Sequence, residues 1–140
     1  MKNKALILIC LISFSSCVHM GRFSVLSDAE CRIGKIEGQR EFADIYFTFY
    51  NNSEKAITSI LFNCLIFDSE DDSNPFVGNN AVEAHCSQYI PAFSSQEIVY
   101  NLDSYINEMP ESPYVIDFFY IQRIEYDDGS VWEDPYVAFM

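Results

Sequence analysis

Histidine is nearly absent from this chain of 140 residues, which has only His19 and His85. That count excludes a zinc centre of the common histidine-rich kind. Basic residues are also few, eight lysines and arginines against 21 aspartates and glutamates, for a formal net charge of −13. A field of that sign repels nucleic acid and anionic lipid head groups, so neither is expected as a partner. There is no glycine-rich phosphate loop, no serine-centred nucleophile elbow and no basic-aromatic patch. Internal repeats are missing, no window has a convincing helical period, and no apolar run reaches the roughly 20 residues of a membrane-spanning helix. No catalytic constellation and no cofactor are therefore expected.

The chain does have a short export-like beginning. Lys2 and Lys4 precede the apolar run Ala5-Leu6-Ile7-Leu8-Ile9-Cys10-Leu11-Ile12, which gives way to Ser13-Phe14-Ser15-Ser16-Cys17. A charged start, a short apolar stretch and small residues before a cleavage point are the parts of a secretory signal. Residues 1–16 read as the signal, 17–28 as a tether without periodicity, and 29–140 as one domain. A domain of this size buries well over half of its unfolded surface without metal staples. Loss of the two lysines with the signal takes the net charge from −13 to −15.

The remainder consists of short runs rich in aromatic and β-branched residues, separated by Asn, Ser, Asp, Pro and Gly clusters, which is a strand signature. In 42–50, Ile45, Phe47 and Phe49 share one face and Tyr46, Thr48 and Tyr50 the other. Residues 57–67 read as a central strand covered on both sides, and 81–89 as a half-solvated one with Val82, Ala84 and Cys86 inward. A further strand begins near Glu97, with Ile98, Tyr100 and Leu102 on one side. The last long run, 114–126, is expected to hold Tyr114, Ile116, Phe118, Tyr120, Ile124 and Tyr126 on one face. The hairpin after it is expected to turn through Asp127-Asp128-Gly129 with Gly129 left-handed, because that loop length sets Trp132 opposite Ile124 rather than on the polar face. Strands at this spacing, without crossover helices, predict an all-β, antiparallel sandwich or barrel.

Two resemblances add to this reading. Ser15-Ser16-Cys17 resembles the lipobox of bacterial lipoproteins, with Phe14 where leucine is usual. The resemblance implies cleavage before Cys17, a thioether-linked diacylglycerol there and a place in the bacterial cell envelope, facing the periplasm or the exterior. Two or more acyl chains hold stably where one does not. A plain signal cut elsewhere would leave Cys17 an ordinary thiol. The elements Tyr50-Asn51-Asn52-Ser53, Leu65-Ile66-Phe67-Asp68 and Pro91-Ala92-Phe93-Ser94-Ser95-Gln96-Glu97 are similar to those of small immunoglobulin-like extracytoplasmic modules of the FxLYD type. Asp128-Gly129-Ser130-Val131-Trp132 looks like the ending of related bacterial surface proteins. The glycines such modules carry after the aspartate and after the proline are here Ser69 and Ala92. The resemblance implies an immunoglobulin-like sandwich that binds or adapts, and it carries no catalytic residue onto this chain.

Candidate sites are few. Asp68, Glu70, Asp71 and Asp72 could offer oxygens to Ca²⁺, although their spacing is not that of an EF-hand, and a solvated turn is the competing reading. A glycosidase needs two carboxyls held about 5 to 9 Å apart, and among 21 acids nothing singles out a pair. His85 and Cys86 are neighbours on a strand, so they point to opposite faces rather than forming a dyad. Cys64 and Cys86 both point inward and are a possible disulfide, with Cys31 able to displace either. Tyr46, Tyr50 and Tyr89 are candidates for contact on the solvent side. The expected function is a lipid-anchored adaptor that binds an envelope protein, with a small-ligand, glycan or Ca²⁺-binding module as the alternative. The sequence fixes no oligomeric state.

Overall fold

The structure, a computed structural model, describes residues 22–25, 28–35, 41–108 and 110–135. The signal segment 1–16, Cys17 and His19 lie outside the described residues. Eight strands follow one another: β1 (Phe23–Val25), β2 (Glu30–Lys35), β3 (Glu41–Asn51), β4 (Ile57–Asp68), β5 (Ala81–Ile90), β6 (Ser95–Asn101), β7 (Tyr114–Tyr126) and β8 (Val131–Glu133). They form two sheets in which every neighbouring pair is antiparallel. In the first, β3 is central, with β6 along one edge and β1 and β2 sharing the other. The second runs β5-β4-β7-β8. The chain crosses between sheets after β3, after β5 and after β6, giving an antiparallel β-sandwich, one of the two architectures that the strand pattern predicts.

The core lies where the inner faces meet. Ala43, Ile45, Phe47 and Phe49 of β3 are fully buried, and β4 opposes them with Ile60, Phe62, Cys64 and Ile66. At the centre the Phe47 ring meets Phe62 edge-on at 5.2 Å and Phe119 of β7 at 4.8 Å. Large rings fill the roughly 10 Å between two sheets where aliphatic side chains alone would leave gaps.

Four sequence expectations change. The tether is shorter than 17–28: β1 lies within it and pairs with the end of β3, Phe23 opposite Asn51 and Val25 opposite Phe49. Phe23 is held there by stacking on Phe49 at 5.4 Å and by an edge contact with Trp132 at 5.1 Å. β2 was not foreseen at all, since Glu30, Arg32 and Gly34 dilute its apolar signal. β4 is central but covered on one face, its outer Leu61, Leu65 and Phe67 remaining half-buried. β7 does not keep one phase along its length. Leu65 stands opposite Asp117 and Asn63 opposite Tyr120, then Phe62 opposite Ile121 and Leu61 opposite Arg123. Each interval contains one extra β7 residue, so two bulges turn Phe118 outward and bring Phe119 and Ile121 inward.

The last hairpin follows expectation. Glu125 pairs with Val131 and Ile124 with Trp132. Gly129 has φ +80° and its N–H donates to the Tyr126 carbonyl at 3.0 Å. Trp132 is thereby half-buried against Phe23.

Two polar side chains, Asn51 and Ser59, are buried among these elements. Asn51 is fully buried at the end of β3. Its Nδ2 donates to the carbonyls of Lys55 (2.8 Å), Pro91 (3.0 Å) and Ile90 (3.2 Å). Its Oδ1 accepts from the Ser53 N–H at 3.0 Å and the Ser53 hydroxyl at 2.6 Å. One amide therefore closes the β3–β4 turn and fastens it to the β5–β6 turn across the sheets. Asn51→Ala, which strands three carbonyls, is expected to cost about 2–4 kcal/mol. Asn51→Asp is expected to cost at least as much at neutral pH, because a carboxylate has no hydrogen to donate. Urea titration checks this; a midpoint shift worth less than about 0.5 kcal/mol in both variants would contradict the role given to the amide.

Candidate functional site

His85 does not work with Cys86. Strand alternation puts His85 on the exposed side of β5 and Cys86 against the core. The partner of His85 is instead Ser59 of β4, whose Oγ lies 2.9 Å from Nε2. Sequence reading missed this pair, because a cross-strand contact needs the β4–β5 register to be known. A serine–histidine contact raises the question of nucleophilic chemistry. Here Ser59 is buried at only 4 % exposure, so a substrate carbonyl has no approach to its oxygen. The contact ties two strands together.

In the acidic stretch that begins at the end of β4, the carboxylates of Asp68 and Asp71 are taken up by hydrogen bonds. Asp68 Oδ1 accepts the Glu70 N–H at 2.8 Å, and its Oδ2 accepts the Ser112 hydroxyl. Asp71 Oδ1 accepts the Ser73 N–H at 3.0 Å, and the Asp72 N–H donates to the Asp68 carbonyl at 3.0 Å. Hydrogen bonding to Ser73 holds the Asp71 carboxyl below its ordinary range. Among the described residues no group of three or more His, Cys, Asp or Glu side chains is placed to hold a metal ion, so Asp68, Glu70, Asp71 and Asp72 do not converge as a Ca²⁺ site would need.

The possible Cys64–Cys86 bridge is ruled out by register. Cys64 stands opposite Val82 and Cys86 opposite Ile60, four residues apart along β4. At ~3.3 Å per residue that is about 13 Å, where a disulfide needs Cα atoms within about 7 Å. Cys31, Cys64 and Cys86 are all free thiols. Burial pushes each upward, Cys31 and Cys64 to about 12 and Cys86 to about 11. Asp44 adds to the effect at Cys31. Little thiolate exists at neutral pH, so these sulfurs are poor nucleophiles.

Of the tyrosines picked out for solvent contact, Tyr89 is well exposed, while Tyr46 and Tyr50 are half-buried. The Tyr46 hydroxyl donates to Glu97 at 2.6 Å, and the Arg32 guanidinium lies over its ring at 3.3 Å. Tyr50 donates to the Phe93 carbonyl at 3.3 Å. Both are occupied in bracing the first sheet.

Among the described residues β5 and β6 each pair on one side only, and a third open edge lies along β7. β8 pairs only with Arg123, Ile124 and Glu125, and the Asp134 N–H extends that ladder one step by donating to the Gln122 carbonyl at 2.8 Å. From Tyr114 to Ile121 this edge pairs with no other strand among the described residues. In its middle, Phe118 sits at φ +49° with 68 % of its surface exposed, its N–H donating to Asp117 Oδ1 at 2.8 Å. A left-handed conformation costs a residue with a Cβ about 1–2 kcal/mol. Beside it, a cavity of about 710 Å³ lies between β1, β7 and β8, walled by Phe23, Val25, Ile116, Phe119, Ile121 and Trp132. A second, also about 710 Å³, opens past Phe118 toward Asn63, Leu65 and Ala81. Asp28, Asp117 and Asp134 line the first, and among the described residues no lysine, arginine or histidine lines either. Gln122 was the sequence signal for this distortion: a strand with Tyr114 and Tyr126 both inward in one phase would bury Gln122 as well.

No known protein family's sequence profile matches this chain, and no curated protein matches it. A solved structure of a hypothetical protein from Peptoclostridium difficile 630 is similar in shape, with a TM-score of 0.59 over 82 % of this chain and 87 % of that one. The two are 12 % identical, so the likeness concerns the fold alone.

The raised thiols have a pH consequence. In the unfolded chain they ionise near the ordinary value of 9.0, well before they do so in the fold. Their contribution to stability is whole below that value and is lost as pH rises from about 9 toward 11 and 12. Denaturation midpoints are expected to fall over that alkaline window, and less steeply in Cys64→Ala than in the wild type. In the folded protein at pH 8 a thiol reagent is expected to modify these three cysteines slowly, and all of them promptly once urea is added. Rapid modification without urea would refute the burial argument.

Proposed function

We propose that this protein is a lipid-anchored, non-enzymatic binding module of a bacterial cell envelope, held to the membrane through Cys17 and docking an envelope protein against its sandwich. The observation that carries the reading is the unpaired β7 edge with an exposed phenylalanine beside a cavity walled by aromatic and aliphatic side chains and edged by aspartates. Addition of a strand to an open sheet edge is a recurrent way for a small β-domain to hold an extended segment. The signal-like segment ending at Ser15-Ser16-Cys17 supports the anchor. β1 begins at Phe23, a few residues beyond Cys17, so the binding domain follows close upon the anchor point. The burial of Ser59, the raised thiols and the hydrogen-bonded carboxylates of Asp68 and Asp71 support a binding role over a chemical one.

Labelled palmitate is expected to enter the wild-type protein and not Cys17→Ala, and the variant is expected to leave the membrane fraction. Equal labelling of the two proteins would sink the anchor. For the adaptor role, crosslinking in intact envelopes is expected to join the wild-type protein to one discrete envelope protein in near-stoichiometric yield. Calorimetric titration with Ca²⁺ and with soluble glycans is expected to give no binding heat. Saturable heat with either would favour the small-ligand reading instead.

A further inference from the structure

The β7 edge carries more than a general invitation to bind, because its chemistry selects an occupant. We infer that it receives an extended peptide segment of a partner protein, one in which basic side chains alternate with apolar ones, added as a strand alongside Tyr114 to Ile121. The inference rests on the binding-module reading above and names the site and the partner chemistry within it.

Three observations point the same way. The first is the ladder itself: β8 stops after Glu133, and eight β7 residues beyond its reach have an edge without a strand among the described residues. The second is the direction of Phe118. A bulge on an edge strand is a common protection against unwanted pairing, and a protective bulge serves best when it projects a charged side chain. This one projects a phenyl ring into water at 68 % exposure, beside Val115 at 48 %, and holds it there in a left-handed backbone. Exposed apolar surface next to a cavity walled by Phe23, Ile116, Phe119, Ile121 and Trp132 is the arrangement that receives an apolar side chain from a partner. The third is charge. Asp28 and Asp117 line the cavity, and among the described residues no basic side chain does, on a protein whose net charge is −13. An acidic rim draws a cationic segment and repels a second copy of the same acidic chain.

An extended strand alternates its faces, so apolar side chains would meet the aromatic and aliphatic wall of the cavity while basic ones meet its aspartates and the solvent. A segment of about eight residues spans the unpaired edge.

Trp132 is the only tryptophan in the chain and lines the cavity, so its fluorescence reports occupancy directly. The probes are two synthetic octapeptides, one alternating valine with lysine and one alternating valine with glutamate, titrated into the full mature chain. The lysine peptide is expected to shift the Trp132 emission saturably and to slow amide hydrogen exchange across 114–121, with affinity falling as salt rises. The glutamate peptide is expected to do neither. Phe118→Gly removes the ring while suiting the left-handed backbone, so it keeps or gains stability, and it is expected to weaken lysine-peptide binding at least about tenfold. No binding of either peptide, equal binding of both, or unaltered affinity in Phe118→Gly would overturn the inference. So would slow exchange at 114–121 in the free protein that quickens only when residues 136–140 are removed, which would make the chain's own end the occupant. Concentration-dependent dimers abolished by Phe118→Gly would overturn it in favour of a second copy. If the peptides fail while crosslinking still gives a discrete envelope partner, the site is wrong and the adaptor role stands; if both fail, the role falls too.

Discussion

Two turns at the same end of the sandwich are joined by one carboxamide. The Asn51 side chain donates to carbonyls on both sides of the gap between the sheets, and its oxygen is taken up by Ser53. A buried amide so fully used is worth more than its separate bonds, since each would otherwise leave an acceptor dry and unpaired. It also sets where β4 starts relative to β5 and β6, and so which faces of the two sheets meet. Lys55, whose carbonyl takes one of those bonds, reaches with its ammonium to Asp128 at 2.6 Å and to the Ser130 hydroxyl at 3.0 Å. That contact holds the Asp128 carboxyl well below its ordinary range, the hydrogen bond from Lys55 being the largest cause and Ser130 the next. Both side chains are about half exposed, so the ion pair adds position more than stability. The final hairpin is further aligned on the same corner by the Asp127 N–H, which donates to the Ala56 carbonyl at 3.0 Å.

From that corner the remaining structure follows as packing. With β3 and β4 face to face, Phe47 and Phe62 meet, and the space left beside them is filled by Phe119. The first β7 bulge puts Phe119 there in place of Phe118, which plain alternation would have turned inward. The same bulge leaves the neighbouring Phe118 outside, so the exposed aromatic of the candidate site and the third ring of the core arise from one backbone event. Core and surface are therefore not independent here: the residue that completes the interior dictates what the edge presents.

Most of the fold was legible in the sequence, and the candidate site largely was not. β3, β4, β5 and β7 each carry an apolar alternation long enough to read, and the Asp128-Gly129 pair specifies its turn locally. β1 and β2 were illegible because their burial comes from partners far along the chain, Phe49 and Trp132 for Phe23, Ile45 for Cys31. Register hid the rest. Inward-facing cysteines can be recognised from alternation, but whether two of them meet depends on which residues stand opposite, and there Cys64 and Cys86 part company. The open edge was hidden for a related reason: a bulge inserts a residue without changing composition, and only the misplaced Gln122 betrays it.

Two extra residues in β7 make its length a matter of parity. One bulge alone would exchange inside for outside over everything beyond it, whereas two restore the original phase, so that Tyr114 and Ile116 at one end and Ile124 and Tyr126 at the other all face the core. Loss of any single residue between Asp117 and Arg123 would therefore throw one end of the strand out of phase, and a second loss at the other bulge would bring it back. Change in this strand is expected to come by substitution or by paired deletion, and a homologue that has lost both bulges would keep the core while losing the outward ring at the edge.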